Sequence, residues 1–417
     1  MGATRDMSAS EPLAPVTPDE GRDGDVSGAL TPLRRMPSRI SPIADGWLLV
    51  YRMPAVRGGQ TLATGMLFVP RGPSRPRGFP LIVFGHDTEG WAPQLAPSVY
   101  LQGASHPKYG GHWKYGSWIA ELLAAGYALV AIDYEGLGDT SLGVSSSGHP
   151  YFNRLSEGRS ATMAAVASRR ALGARLSGAW AAVGHSQGGR AAIAAAELSA
   201  DAQHLEAALD FRGAVAASPS TSIMGKLNER WARATERSSA WDVDGAIPYV
   251  TLINAYGVLY VKALITSGYP LDPSGILGER ARRFFENRMH LDIWSLLTEV
   301  SDDVMTYTYA TGERDLNSPV TYPGFKMDVA NSSPFAAAMN ENEIGCTCAP
   351  GDILVLQGTS DPFTPLNWAL KLVNMMLTAG TRVRLSLHEG ADHFGVLQLE
   401  GAQDVMRRFL QELFAPH

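Results

Sequence analysis

Gly184-His185-Ser186-Gln187-Gly188 is the single Gly-x-Ser-x-Gly in the 417-residue chain. A four-residue apolar run, 180–183, enters it, and an Ala-rich stretch, 189–200, leaves it. That order reads as strand, sharp turn and helix, a setting that exposes a serine hydroxyl above the edge of a sheet. Glycines two positions to either side of Ser186 remove side chains that such a turn cannot accommodate. The N–H of Gln187, at the start of the helix, is then free to face negative charge developing on an attacked carbonyl. These residues predict a nucleophilic serine with one oxyanion donor beside it.

A serine hydroxyl is a weak nucleophile until a base takes its proton. In this architecture the acid and the base follow in the order Ser, Asp, His. The apolar run 353–356 leads into Gln357-Gly358-Thr359-Ser360-Asp361, and Pro362 and Pro365 close the turn. The run 383–387 leads into Glu389-Gly390-Ala391-Asp392-His393. Asp361 and His393 both come a few residues after a strand, so both are expected at the carboxyl edge where Ser186 stands. The competing residues are poorly placed. Asp352 precedes its strand, Asp392 is adjacent to His393 and diverges from it, and His388 is too close to its strand. The second oxyanion donor is expected after the run 81–84, in Gly85-His86-Asp87-Thr88-Glu89-Gly90, from a backbone N–H near Asp87. His86 reads as a residue bracing that loop.

These positions need a sheet with parallel strands, and the pattern supplies one. Strand-like runs (81–84, 128–132, 180–183, 213–217) alternate with helix-like ones (117–125, 155–172, 189–200). Such alternation predicts an α/β fold with a mostly parallel central sheet and helices on both faces. The rhythm stops after Ser218-Pro219. Residues 222–345 carry many aromatics and no convincing strand, and read as an inserted helical cap. The rhythm resumes with the strands at 353–356 and 383–387 and helices at 365–379 and 396–414. The predicted organisation is a flexible arm over 1–40, a first core part over 41–221, the cap over 222–345, and a second core part over 346–417.

Composition narrows the function classes. A hydrophobic share of 45% excludes disorder over most of the chain. Lys and Arg number 35 against 41 Asp and Glu, a net charge of −6. With no basic stripe, nucleic acid is not an expected partner. Stable membrane insertion is not expected either: the most apolar stretch, 247–266, contains Pro248, Asn254, Gly257 and Lys262, and reads as a buried or interfacial helix. Cys346 and Cys348 are the only cysteines. Their spacing disfavours a disulfide, and two thiols are too few for a zinc site. No metal and no organic cofactor is expected. The first residues lack a continuous apolar segment, which leads to the expectation of a cytoplasmic protein.

Taken with Tyr127, Asp133-Tyr134-Glu135-Gly136-Leu137-Gly138, His149-Pro150-Tyr151 and Gly358-x-x-Asp361, these motifs resemble the α/β-hydrolases. More narrowly, they resemble the secretory lipase family of fungal and bacterial esterases, over residues 45–415. The resemblance implies a helical cap between the fourth core strand and the catalytic Asp. It also implies that Asp87 lies at the oxyanion hole with Gln187. The expected activity is hydrolysis of a small or medium-sized carboxylic ester through an acyl-enzyme, with Ser186, Asp361 and His393 as the triad. Acyl transfer, carbon–carbon bond hydrolysis and triglyceride lipolysis use the same triad and stay open. A binding module without turnover is the alternative from another class.

Overall fold

The computed structural model describes residues 28–72, 76–102, 114–310 and 318–415. Among these, nine strands form one sheet: β1 (Ala29–Pro32), β2 (Ala44–Pro54), β3 (Gln60–Pro70), β4 (Phe79–Gly85), β5 (Ala128–Ile132), β6 (Leu176–His185), β7 (Asp210–Ala217), β8 (Asp352–Gly358) and β9 (Arg382–His388). Their order is β1-β2-β3-β5-β4-β6-β7-β8-β9. Neighbours from β5 to β9 run parallel, whereas β1, β2, β3 and β5 pair antiparallel. Every residue of β4 and β5 is buried. Strands covered on both faces read as continuous apolar runs, which is why Leu81–Phe84 and Ala128–Ile132 stand out in the sequence.

Helices cover both faces. On one side lie Arg154–Leu172 and Gln187–Glu197, with their own apolar core around Trp180, Met163 and Ile193. On the other lie Gly116–Ala124 and Glu400–Leu413, packed around Phe84, Trp118 and Phe409. Arg154–Leu172 begins at Asn153, whose side chain accepts from the Ser156 N–H at 3.1 Å. Glu157 sits in its first turn and Arg169 and Arg170 in its last, the charge order its dipole favours.

Part of the stretch expected as a flexible arm over 1–40 is a strand. Residues 29–32 pair with Leu48, Leu49 and their neighbours on β2, because Leu30 has an apolar bed to enter. Residues 1–27 lie outside the described residues, as do His106 and His112.

Between β7 and β8 the described chain forms helices and turns, with one isolated bridge between Leu277 and Phe325. These helices build a third apolar core around Leu227, Ile253, Val258, Val300 and Phe335. Val243–Thr266 is the one described helix long and apolar enough to cross a membrane, and 67% of its most apolar window is buried inside the molecule.

Candidate active site

The sheet register brings the chemistry to one edge. Gly85 on β4 pairs with Gly184 on β6, His185 pairs with Ala217 on β7, Ala217 with Leu356 on β8, and Gly358 with His388 on β9. Ser186 therefore follows its strand directly, Asp361 follows by three residues and His393 by five.

Ser186 has φ 55° and ψ −114°, a conformation that a non-glycine residue adopts only when its surroundings impose it. Its N–H donates to Ala217 O at 2.9 Å, and its carbonyl accepts from Ser220 N at 3.0 Å and Arg190 N at 3.1 Å. Gly188 makes the turn possible: a Cβ there would run into the carbonyl oxygen of Gly85. The helix Gln187–Glu197 starts at once, so the Gln187 N–H has no partner within its own helix. The Gln187 side chain is clamped by His149 Nε2 at 2.7 Å and Glu157 Oε1 at 3.1 Å. Glu157 also accepts from Arg190 Nε at 2.8 Å, a pair that is fully buried.

Asp361 and His393 are brought together. His393 Nδ1 lies 2.7 Å from Asp361 Oδ2. The carboxylate also accepts from Thr364 Oγ1 at 2.6 Å and from the N–H groups of Phe363 and Thr364, both at 2.8 Å. Burial alone would raise the Asp361 carboxyl, but the His393 bond and these donors outweigh it and hold it far below the usual carboxylate range. The His393 ring sits among Phe363, Phe394 and His185, with centroids 5.2, 5.2 and 4.7 Å away. The competing residues serve elsewhere. Asp392 Oδ1 accepts from Phe394 N and Gly395 N within its own turn. Asp352 pairs with Arg382, at the start of its strand. His388 approaches Ser386 Oγ at 3.2 Å.

Three residues that sequence reasoning had not assigned, Tyr115 and His185 buried and Lys114 partly so, connect the loops. Tyr115 Oη lies 3.0 Å from His185 Nδ1, and His185 Nε2 lies 2.8 Å from the carbonyl of His393. Burial pushes His185 down to about 3, so at neutral pH it is an uncharged strut between elbow and base. Lys114 lies 2.5 Å from Asp87 Oδ1 and 3.4 Å from Glu89 Oε1.

The expectation at Asp87 is corrected. Its N–H donates to Tyr115 Oη at 3.1 Å, because the hydroxyl reaches it from the start of Gly116–Ala124. Thr88, one residue on, lines the pocket with Ser186, and its N–H has no acceptor among the described residues. His86 braces the loop as expected: its Nδ1 lies 2.6 Å from Asp87 O, and its carbonyl accepts from Tyr134 Oη at 2.7 Å.

Glu89 is wholly buried, and neither carboxylate oxygen makes a hydrogen bond among the described residues. Burial raises it from 4.5 to about 7, against the opposing pull of Lys114. The unfolded chain releases this proton near 4.5 while the folded one keeps it to about 7, so stability falls as pH rises between those values. Glu89→Gln is therefore expected to melt above the wild type at pH 8, by about 3 kcal/mol of stability, and close to it at pH 4.5. Thermal melts at the two pH values check this. A variant less stable at pH 8 would mean that Glu89 is an ionised partner of Lys114.

The pocket at Ser186 is small, about 20 Å³, and is lined by Thr88, Phe152, Ser220, Lys226, Arg230, Tyr256, Tyr260, Phe363 and Thr364. Four of these, Lys226, Arg230, Tyr256 and Tyr260, come from the helices between β7 and β8. Lys226 and Arg230 also line a second cavity of about 840 Å³, to which Tyr249, Pro248 and Trp368 contribute as well.

The sheet, its crossover helices and the elbow define an α/β-hydrolase. The chain belongs to the alpha/beta hydrolase family, whose sequence model matches residues 99–408. Among solved structures it is similar to the rice cell wall degrading esterase LipA from Xanthomonas oryzae: 21% identity over 89% of this chain and 92% of that one, TM-score 0.63. It is also similar to lipase A of Candida antarctica in its closed state, with 15% identity over 95% of this chain and 84% of that one, TM-score 0.63. At these identities the likeness is one of fold. Comparison with curated proteins gives no match.

Proposed function

We propose that the protein is a serine hydrolase that cleaves the carboxylic ester of a small or medium-sized, partly apolar substrate. The observation that carries this reading is the His393–Asp361 contact of 2.7 Å at the sheet edge that holds Ser186 in its strained turn. Ser186 Oγ attacks the ester carbonyl while His393 Nε2 takes its proton. The N–H groups of Gln187 and Thr88 receive the oxyanion. The tetrahedral intermediate collapses, His393 returns the proton to the leaving alcohol, and Ser186 stays acylated. Water, deprotonated by His393, then attacks the acyl carbon and releases the acid, restoring the serine. Asp361 fixes the ring and balances the charge of the imidazolium. The helices over 222–345 act as the cap that shapes the substrate site.

A fluorophosphonate reacts only with an activated serine. Mass spectrometry of the labelled protein is expected to place the adduct on Ser186, and Ser186→Ala to remove it. A folded protein that hydrolyses no ester and takes no label would defeat the proposal.

The two tyrosines at the pocket and the mostly buried helix Val243–Thr266 favour a dissolved ester over an oil surface, since interfacial lipolysis needs a broad exposed apolar face. Rate against concentration is expected to follow simple saturation for short and medium esters, with no jump at the solubility limit. A sharp rise there, with strong activity on long-chain triglycerides, would favour lipolysis.

A further inference from the structure

Lys226 and Arg230 stand one turn apart on the helix Ile223–Ser239, and both face the pocket over Ser186. Their exposures are 4% and 8%. Lys226 Nζ donates to Ser220 Oγ at 3.1 Å, and the Ser220 N–H donates to the carbonyl of Ser186 at 3.0 Å. The ammonium is thus one residue removed from the nucleophile. Arg230 Nη2 donates to Phe363 O at 3.1 Å, next to Asp361, and its guanidinium lies 5.8 Å from the centroid of Tyr256.

Neither cation pairs with a carboxylate among the described residues. The acids nearby are engaged elsewhere. Glu343 accepts from Thr221 Oγ1 at 3.0 Å and Ser222 N at 2.7 Å, and Asp361 holds His393. Deeper in the 840 Å³ cavity Arg237 pairs with Asp242 and Arg233 with Glu236, while the Glu229 carboxylate accepts from the neutral donors Trp368 Nε1 and Asn367 Nδ2. Lys226 and Arg230 are the charged side chains that line both this cavity and the pocket at Ser186, so positive charge stands where the cavity narrows. Burial, reinforced by the Arg230 charge, lowers the Lys226 ammonium to about 7. Glu343 and Asp361 oppose that shift only from a distance, without contact to the ammonium, so a carboxylate from outside that bonds to both side chains stabilises their charged forms.

We infer that the ester cleaved at Ser186 carries a carboxylate a few bonds from its scissile carbonyl, and that Lys226 and Arg230 bind that carboxylate. The inference rests on the ester-hydrolase reading of Ser186. In this arrangement the ester enters first, toward Ser186 Oγ and the N–H of Gln187. The carboxylate stays at the mouth of the inner pocket and receives charge-assisted hydrogen bonds from the ammonium and the guanidinium. A neutral ester of equal length leaves both cations unanswered.

The test compares kcat/KM for monomethyl glutarate and methyl pentanoate, which differ in a carboxylate against a methyl group. The wild type is expected to prefer the glutarate ester by about tenfold or more. Lys226→Met and Arg230→Met are each expected to lower that preference about tenfold, and Arg230→Lys to keep most of it. A wild-type ratio near one, or ratios unchanged in both Met variants, overturns the inference. If neither ester is turned over, titration calorimetry of glutarate into Ser186→Ala decides separately. Binding that disappears when Lys226→Met is added supports the anion site while the ester reading falls. Absence of binding overturns the inference.

Discussion

Ser186→Ala is expected to lower kcat/KM for a soluble ester by about 10⁴-fold or more, with the melting temperature little changed. The catalytic loss follows because the other hydroxyls at the pocket, those of Thr88, Ser220, Tyr256, Tyr260 and Thr364, lie outside the strained turn. Stability is spared for three reasons. The Ser186 hydroxyl makes no hydrogen bond among the described residues that the fold depends on. The bonds of its backbone to Ala217, Ser220 and Arg190 stay in place. Alanine also meets the positive φ with the same Cβ. Steady-state kinetics and a thermal melt on one preparation check both halves, and full activity in the variant would remove Ser186 from the mechanism.

Asp361→Asn is expected to keep the fold and cost about 10³–10⁴ in rate. Oδ1 of Asp361 accepts two backbone N–H groups, and Oδ2 accepts from His393 Nδ1 and Thr364 Oγ1. An asparagine must keep its oxygen toward the two N–H donors, so its NH₂ turns toward His393 and Thr364. Nδ1 then has to accept, which places the ring proton on Nε2, where it cannot take the proton of Ser186. Asp392→Asn is the control, since its carboxylate serves a local turn. A large effect at Asp392 with a small one at Asp361 would reverse the assignment of the acid.

What the sequence discloses here depends on how local each cause is. The parallel strands are short apolar runs because both faces are covered, and the residues just past their ends are the ones that meet at the sheet edge. Ser186, Asp361 and His393 could be picked out for that reason. The antiparallel strands β1 to β3 are harder to see. β2 is only partly buried along much of its length and β1 is four residues long, so neither shows a clean period. Asp87 shows the limit of loop reasoning. What its N–H does is decided by Tyr115, 28 residues away, and no local pattern encodes that. Lys226 and Arg230 do have a sequence signal, a spacing of four that puts them on one helix face. Which way that face points is set by packing among all the helices between β7 and β8.

The pocket over Ser186, at about 20 Å³, has room for little more than one water molecule. Lys226 and Arg230 form the partition between it and the 840 Å³ cavity. An ester that enters from the larger cavity has to displace those side chains, or the helix that carries them, and its products leave past the same groups. If ester hydrolysis follows that route, turnover is expected to be bounded by how often the partition opens as well as by bond making at the carbonyl. Such a limit shows itself in the time course and the solvent. Solvent viscosity then slows kcat, and the first turnover outpaces those that follow.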